Sequence, residues 1–176
     1  NCYEPVSNFI RLELKKFGIN HKTYPPVYNK SVERLIDKNT KILYLESPTS
    51  LNYEVQDIEK FVKIAKKNKI LTIMDNTWST FYGCNPLKFG VDIVIESGTK
   101  YLSGHSDCFC GIIACSNVNF KKIYSTKIRF GDFVSSENCF LAIRGLKTLP
   151  IRLENNFKNT KKVLIFLKEN QSIEKI

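Results

Sequence analysis

Apolar residues recur along this chain in two periodicities that alternate. In 8–17, Phe9, Ile10, Leu12, Leu14 and Phe17 return at helical spacing, with Ser7 placed to cap the helix and Gly18 to stop it. Segment 22–24 reads as a short strand closed by Pro25-Pro26, and 31–36 as a short helical turn. KILYLE at 41–46 is a buried-strand pattern broken by Ser47-Pro48. Asp57 is placed to cap a helix reaching about residue 67, with Ile58, Phe61, Val62, Ile64 and Ala65 on one face. Further strands are expected at 70–74, ending at Asp75, at 92–96 (DIVIE), leading into Ser97-Gly98-Thr99-Lys100, and at 111–115 (GIIAC). Beyond these the pattern is helical over about 135–144 and 150–168. Continuously apolar strands separated by amphipathic helices predict an α/β fold, with a mostly parallel sheet covered by helices on both faces.

Composition narrows the function classes. The 176 residues suffice for one domain with a real core, and 43% hydrophobic with 25% charged residues is a globular balance. No apolar run reaches the length of a membrane helix, so no membrane partner is expected. A net charge of +10 raises nucleic acid as a partner, but only five of the 27 basic residues are Arg. Phosphate forks and base readout favour Arg, so the lysines read as a solvated surface and no nucleic acid is expected. Six cysteines without a secretory pattern, several of them in an apolar run, read as reduced thiols in a cytoplasmic protein. The Cys108-Phe109-Cys110 spacing does not match common zinc sites, and no metal is expected.

Polar clusters follow three strand ends: Glu46-Ser47, Asp75-Asn76-Thr77 and Ser97 to Lys100. Open α/β sheets bind ligands at the carboxyl ends of their strands. Lys100 lies in a turn of small residues. Partial burial there would favour its neutral amine, which can form a Schiff base with an aldehyde; on position alone it is equally a surface loop lysine. Asp75 emerges at a strand end, where a carboxylate can keep a pyridine nitrogen protonated, or simply cap a turn. Ser97 and Thr99 offer hydroxyls for a phosphate, or ordinary turn chemistry.

Taken together, Asp75-Asn76-Thr77-Trp78 and the run Ser97-Gly98-Thr99-Lys100-Tyr101-Leu102-Ser103-Gly104-His105-Ser106-Asp107 resemble the signature of the pyridoxal-phosphate enzymes of cysteine and methionine metabolism. Glu46-Ser47-Pro48-Thr49 and Arg144-Gly145-Leu146-Lys147-Thr148-Leu149 resemble that family's upstream and downstream motifs, and the likeness is collinear from Tyr3 to about Lys168. The resemblance implies the large domain of a fold type I transferase, present in part, with pyridoxal 5'-phosphate as cofactor. It implies that Lys100 bonds the cofactor and is catalytic, that Asp75 pairs with the ring nitrogen, and that Ser97 and Thr99 contact the phosphate. Tyr3 is implied to stack on the ring and to assist catalysis; without the family its default role would be packing.

Within the family the resemblance runs most closely to bacterial cystathionine β-lyases, through Trp78, the Ser47-Pro48-Thr49-Ser50-Leu51 stretch and Tyr53-Glu54-Val55-Gln56-Asp57. Tyr53 and Trp78 are equally readable as packing substitutions. The implied reaction is α,β-elimination of cystathionine, with γ-elimination, γ-synthesis and a non-catalytic fragment as alternatives. Residues 1–150 are expected to be the central part of the cofactor domain and 151–176 a helix leading into a C-terminal domain. Family members are more than twice as long and form homotetramers, so this chain alone is expected to be inactive. Arg129, Arg144 and Arg152 do not match the family's substrate-carboxylate arginine.

Overall fold

The structure, a computed structural model, describes residues 2–28 and 30–174. It divides into two compact units, one of Asn1–Glu96 with Gly111–Phe133 and one of Ser97–Cys110 with Val134–Ile176.

The first unit opens with α1 (Glu4–Asn8), which passes through a π-helical stretch, Phe9–Glu13, into α2 (Leu14–Lys16). Then come α3 (Lys30–Leu35), β1 (Ile42–Glu46), α4 (Ile58–Lys67), β2 (Leu71–Asp75), the single turn α5 (Thr80–Gly83), a 3-10 turn at Pro86–Phe89, and β3 (Ile93–Ser97), whose last residue begins the second unit. β4 (Gly111–Cys115) and α6 (Asn117–Phe130) complete it. The sheet order is β1-β2-β3-β4, and β1, β2 and β3 are parallel. Leu45 pairs in register with Met74 and Met74 with Val94, which places these three on one face. That face and the apolar stripe of α4 form the core, where Leu45, Phe61 and Ala65 are fully buried. Tyr24 and Tyr28 pack on Phe61 with ring centroids 5.2 and 5.5 Å away.

α4 begins as its sequence predicts, the Asp57 carboxylate accepting the Lys60 N–H at 3.1 Å. Register is also pinned by polar contacts. The Thr72 hydroxyl donates to Asp92 at 2.7 Å and accepts the Asp92 N–H at 2.9 Å, tying the start of β2 to the approach of β3.

The second unit consists of the Ser97–Cys110 loop with α7 (Ser136–Leu146) and α8 (Leu149–Glu169). The Ser135 hydroxyl caps α7 by accepting the Asn138 N–H at 3.2 Å. Leu102, Ser103, Cys108, Ala142, Gly145 and Leu149 are among its buried residues. Among the described residues no helix is long and apolar enough to cross a membrane.

Three sequence expectations need correction. The first helix starts at Glu4 rather than beyond Ser7, because Pro5 suits a first helical turn and Glu4 favours the positive end of the helix dipole. Segment 22–24 is not a strand; Lys22 turns outward to Asp37 at 2.6 Å and the Tyr24 hydroxyl donates to the Tyr44 carbonyl, so side chains hold it against its neighbours. The sequence reading assigned no helix to 117–130, where α6 stands between Ser116 and the left-handed Gly131 (φ +66°). None of its residues is buried, so its apolar positions gather into no single stripe that periodicity could reveal.

Candidate active site

The first unit supplies the ends of β1 and β2. Glu46, the last residue of β1, is 4% exposed, and its carboxylate accepts the Tyr3 backbone N–H at 2.9 Å and the Ser50 hydroxyl. The Gln56 side-chain carbonyl accepts the Glu46 N–H at 3.1 Å, closing the loop that follows the strand. Tyr3 is thereby fixed by its backbone while its ring stays 54% exposed.

Asp75 pairs in register with Glu46 and lies half-buried at the end of β2. One carboxylate oxygen accepts the Thr77 N–H at 2.9 Å, the Asx-turn geometry that lets the chain leave the strand. The Tyr44 hydroxyl is buried without a hydrogen-bond partner of normal geometry. Burial first, and then the negative charges of Asp75 and Glu46, hold this phenol far above its ordinary value. The Cys2 thiol is raised by burial and by the same two carboxylates, Glu46 the stronger. Two carboxylates, those of Glu46 and Asp75, thus stand on neighbouring strand ends.

Behind Asp75, the fully buried Asn76 donates to the Cys84 carbonyl and to Glu96, both at 3.0 Å. Burial raises the Glu96 carboxyl, and the Asn76 hydrogen bond opposes that shift. This network locks the segment from β2 to α5. Tyr53 and Trp78 meet edge to face, centroids 5.4 Å apart, both partly exposed.

The second unit supplies the lysine turn. The Lys100 N–H donates to the Ser97 carbonyl at 3.1 Å, Ser103 N–H to Gly98 at 3.0 Å, and Gly104 N–H to Lys100 at 2.8 Å. These bonds fix the backbone on both sides of Lys100. Its side chain is exposed, as a loop lysine's would be, while the backbone of the turn is hydrogen-bonded on both sides. The Thr99 hydroxyl is engaged with Cys110, accepting its N–H at 3.1 Å and facing its carbonyl at 3.4 Å. A phosphate contact from Thr99 would take the hydroxyl proton from the 3.4 Å carbonyl contact and leave the Cys110 N–H bond in place. Ser97 lies half-buried at the end of β3.

Sequence reasoning assigned no individual role to Glu46, Tyr44 or Arg152. Glu46 left a visible signal, an acidic residue closing an apolar strand. Tyr44 and Arg152 left none, since their positions depend on long-range contacts.

Acidic residues end β1 and β2 of the first unit, the place where open parallel α/β sheets bind ligands, and the second unit carries a backbone-fixed lysine turn. The chain belongs to the Cys/Met metabolism PLP-dependent enzyme family, whose profile matches residues 1–176. It is 36% identical over its full length to the L-alanine/L-glutamate racemase of Wolbachia pipientis wMel, covering 43% of that protein. It is 37% identical over 164 residues to a cystathionine beta-lyase of Bacillus subtilis, covering 93% of this chain and 42% of that one. The crystal structure of cystathionine gamma-lyase from Lactobacillus plantarum complexed with L-serine superposes with a TM-score of 0.96 at 32% identity, over 99% of this chain and 46% of that one. The chain thus spans about half the length of the relatives it matches. Pyridoxal phosphate is the cofactor of this family.

Proposed function

We propose that the whole protein is a carbon–sulfur lyase that splits L-cystathionine by α,β-elimination into homocysteine and aminoacrylate, which water hydrolyses to pyruvate and ammonia, a step of methionine biosynthesis. The observation that carries this reading over others in the family is the Tyr53–Trp78 pair. Tyr53 and Trp78, from two of the three stretches that carry the β-lyase resemblance, meet in one aromatic contact, Trp78 standing three residues beyond Asp75.

The residues suit a pyridoxal phosphate. Asp75 offers a strand-end carboxylate, Tyr3 an exposed residue on a fixed backbone, Lys100 an exposed amine on a fixed turn, and Tyr44 a buried hydroxyl beside Asp75. When bound, the cofactor supplies an electron sink for the carbon that loses its proton. Lys100 then has two tasks at one atom. Its Nζ holds the cofactor, and once freed by substrate it takes the Cα proton and returns a proton to the departing homocysteine sulfur. The Asp75 carboxylate holds a proton on the ring nitrogen. Tyr3 would cover the ring face, and the Ser97 and Thr99 hydroxyls would bind the phosphate. In the whole protein, residues 1–150 belong to the cofactor domain, 151–176 lead into a C-terminal domain, and the assembly is a cytoplasmic homotetramer.

Product analysis tests the reaction. Incubation of the whole protein with L-cystathionine should yield homocysteine and pyruvate. Cysteine with 2-oxobutyrate would mean γ-elimination, and inversion of alanine without cleavage would mean racemisation.

A further inference from the structure

The downstream motif Arg144 to Leu149 and the residues after it have no part in the chemistry above, yet they surround the lysine turn. The Arg152 guanidinium donates to the Tyr101 carbonyl at 2.8 Å, to the Gly145 carbonyl at 2.9 Å and to the Leu102 carbonyl at 3.4 Å, while its Nε donates to the Thr148 hydroxyl at 3.1 Å. Two of these acceptors are the residues directly after Lys100. The planar fork of Arg suits such a convergence of carbonyls, which a single ammonium cannot span.

The backbone around it is cut to fit. A Cβ on Gly104, at φ +72°, would lie 2.1 Å from a terminal nitrogen of Arg152. A Cβ on Gly145 would lie 2.1 Å from the Ser103 carbonyl oxygen and 2.5 Å from that of Leu102. Arg144 adds an ion pair with Asp107 at the far end of the same loop. Arg152 therefore joins α7, the start of α8 and the loop, and Arg144 adds a second link between α7 and the loop.

We propose that Arg152 is a positioning residue that clamps the Tyr101–Leu102 backbone and so sets where the Lys100 amine stands. This rests on Lys100 bonding the cofactor. Arg152 touches no reacting atom; it acts by denying the turn alternative conformations. A neutral, similarly long side chain removes the clamp, and a lysine restores charge but not the fork.

The test is amide hydrogen exchange on the whole protein without added cofactor, for the unsubstituted protein, Arg152→Met and Arg152→Lys. Exchange at Ser103 and Gly104 should rise about tenfold or more in both variants, with α4 in the other unit unchanged. Unchanged exchange in the turn overturns the proposal. So does an equal rise everywhere, which would make Arg152 a residue of general stability. In the whole protein with pyridoxal phosphate, the visible band of the Lys100-bound cofactor should also change its pH midpoint in both variants. If the unsubstituted protein shows no such band while the exchange result holds, the cofactor reading falls and the clamp stands.

Discussion

Removing the Glu46 carboxylate should loosen Tyr3 without touching its ring. Glu46 is almost fully buried and accepts two hydrogen bonds, from the Tyr3 backbone N–H at 2.9 Å and from the Ser50 hydroxyl. Hydrogen bonds to a charged group contribute about 1.5–3 kcal/mol each. Both donors lie near solvent, so each regains part of its hydration, and the sum is reduced accordingly. Glu46→Ala should then cost about 2–3 kcal/mol, and Glu46→Gln, which keeps one acceptor oxygen, about 1–2 kcal/mol. Urea unfolding followed by far-UV circular dichroism reads this directly, provided the denaturant slope is unchanged. A second feature separates this account from simple packing. The donor on Tyr3 is backbone, so the cost should be the same in a Tyr3→Ala background, within about 0.5 kcal/mol. A cost below about 0.5 kcal/mol for Glu46→Ala, or its disappearance in that background, would refute the reasoning.

Other substitutions probe the remaining contacts. Gly145→Ala should destabilise by about 3 kcal/mol or more in thermal unfolding, because the added carbon meets backbone oxygens that cannot rotate away. Glu96 has a folded pKa raised by burial, so its contribution to stability is whole below the unfolded value and is lost as pH rises through the folded one. Glu96→Gln should therefore gain in melting temperature over the unsubstituted protein between about pH 4 and pH 8. Burial, then Cys108, pushes the Cys110 thiol up to about 11. At about pH 8 it should alkylate much more slowly than the exposed Cys139, as peptide mass spectrometry would show.

What the sequence makes legible follows from how local each cause is. The three parallel strands and α4 are set by short apolar runs and one capping aspartate, and they appear within a residue or two of their expected bounds. Asp75 and Lys100 stand where strand ends and a small-residue turn put them. The exposed amine of Lys100 was not legible, because burial depends on what packs over a turn and not on the turn's own residues. Nor was the capture of the Thr99 hydroxyl by Cys110, a contact across eleven positions that no spacing rule anticipates. Arg152 is the clearest case. From sequence it is one of five arginines on a helix, and its role comes from carbonyls some fifty residues away.

Lys100, among 22 lysines, is the proposed point of attachment of the cofactor. Borohydride reduction of the whole protein loaded with pyridoxal phosphate, followed by peptide mass spectrometry, tests it most directly. The account predicts one fixed pyridoxyl group, on Lys100, absent from Lys100→Ala. A group fixed on another lysine, persisting in Lys100→Ala, would contradict it.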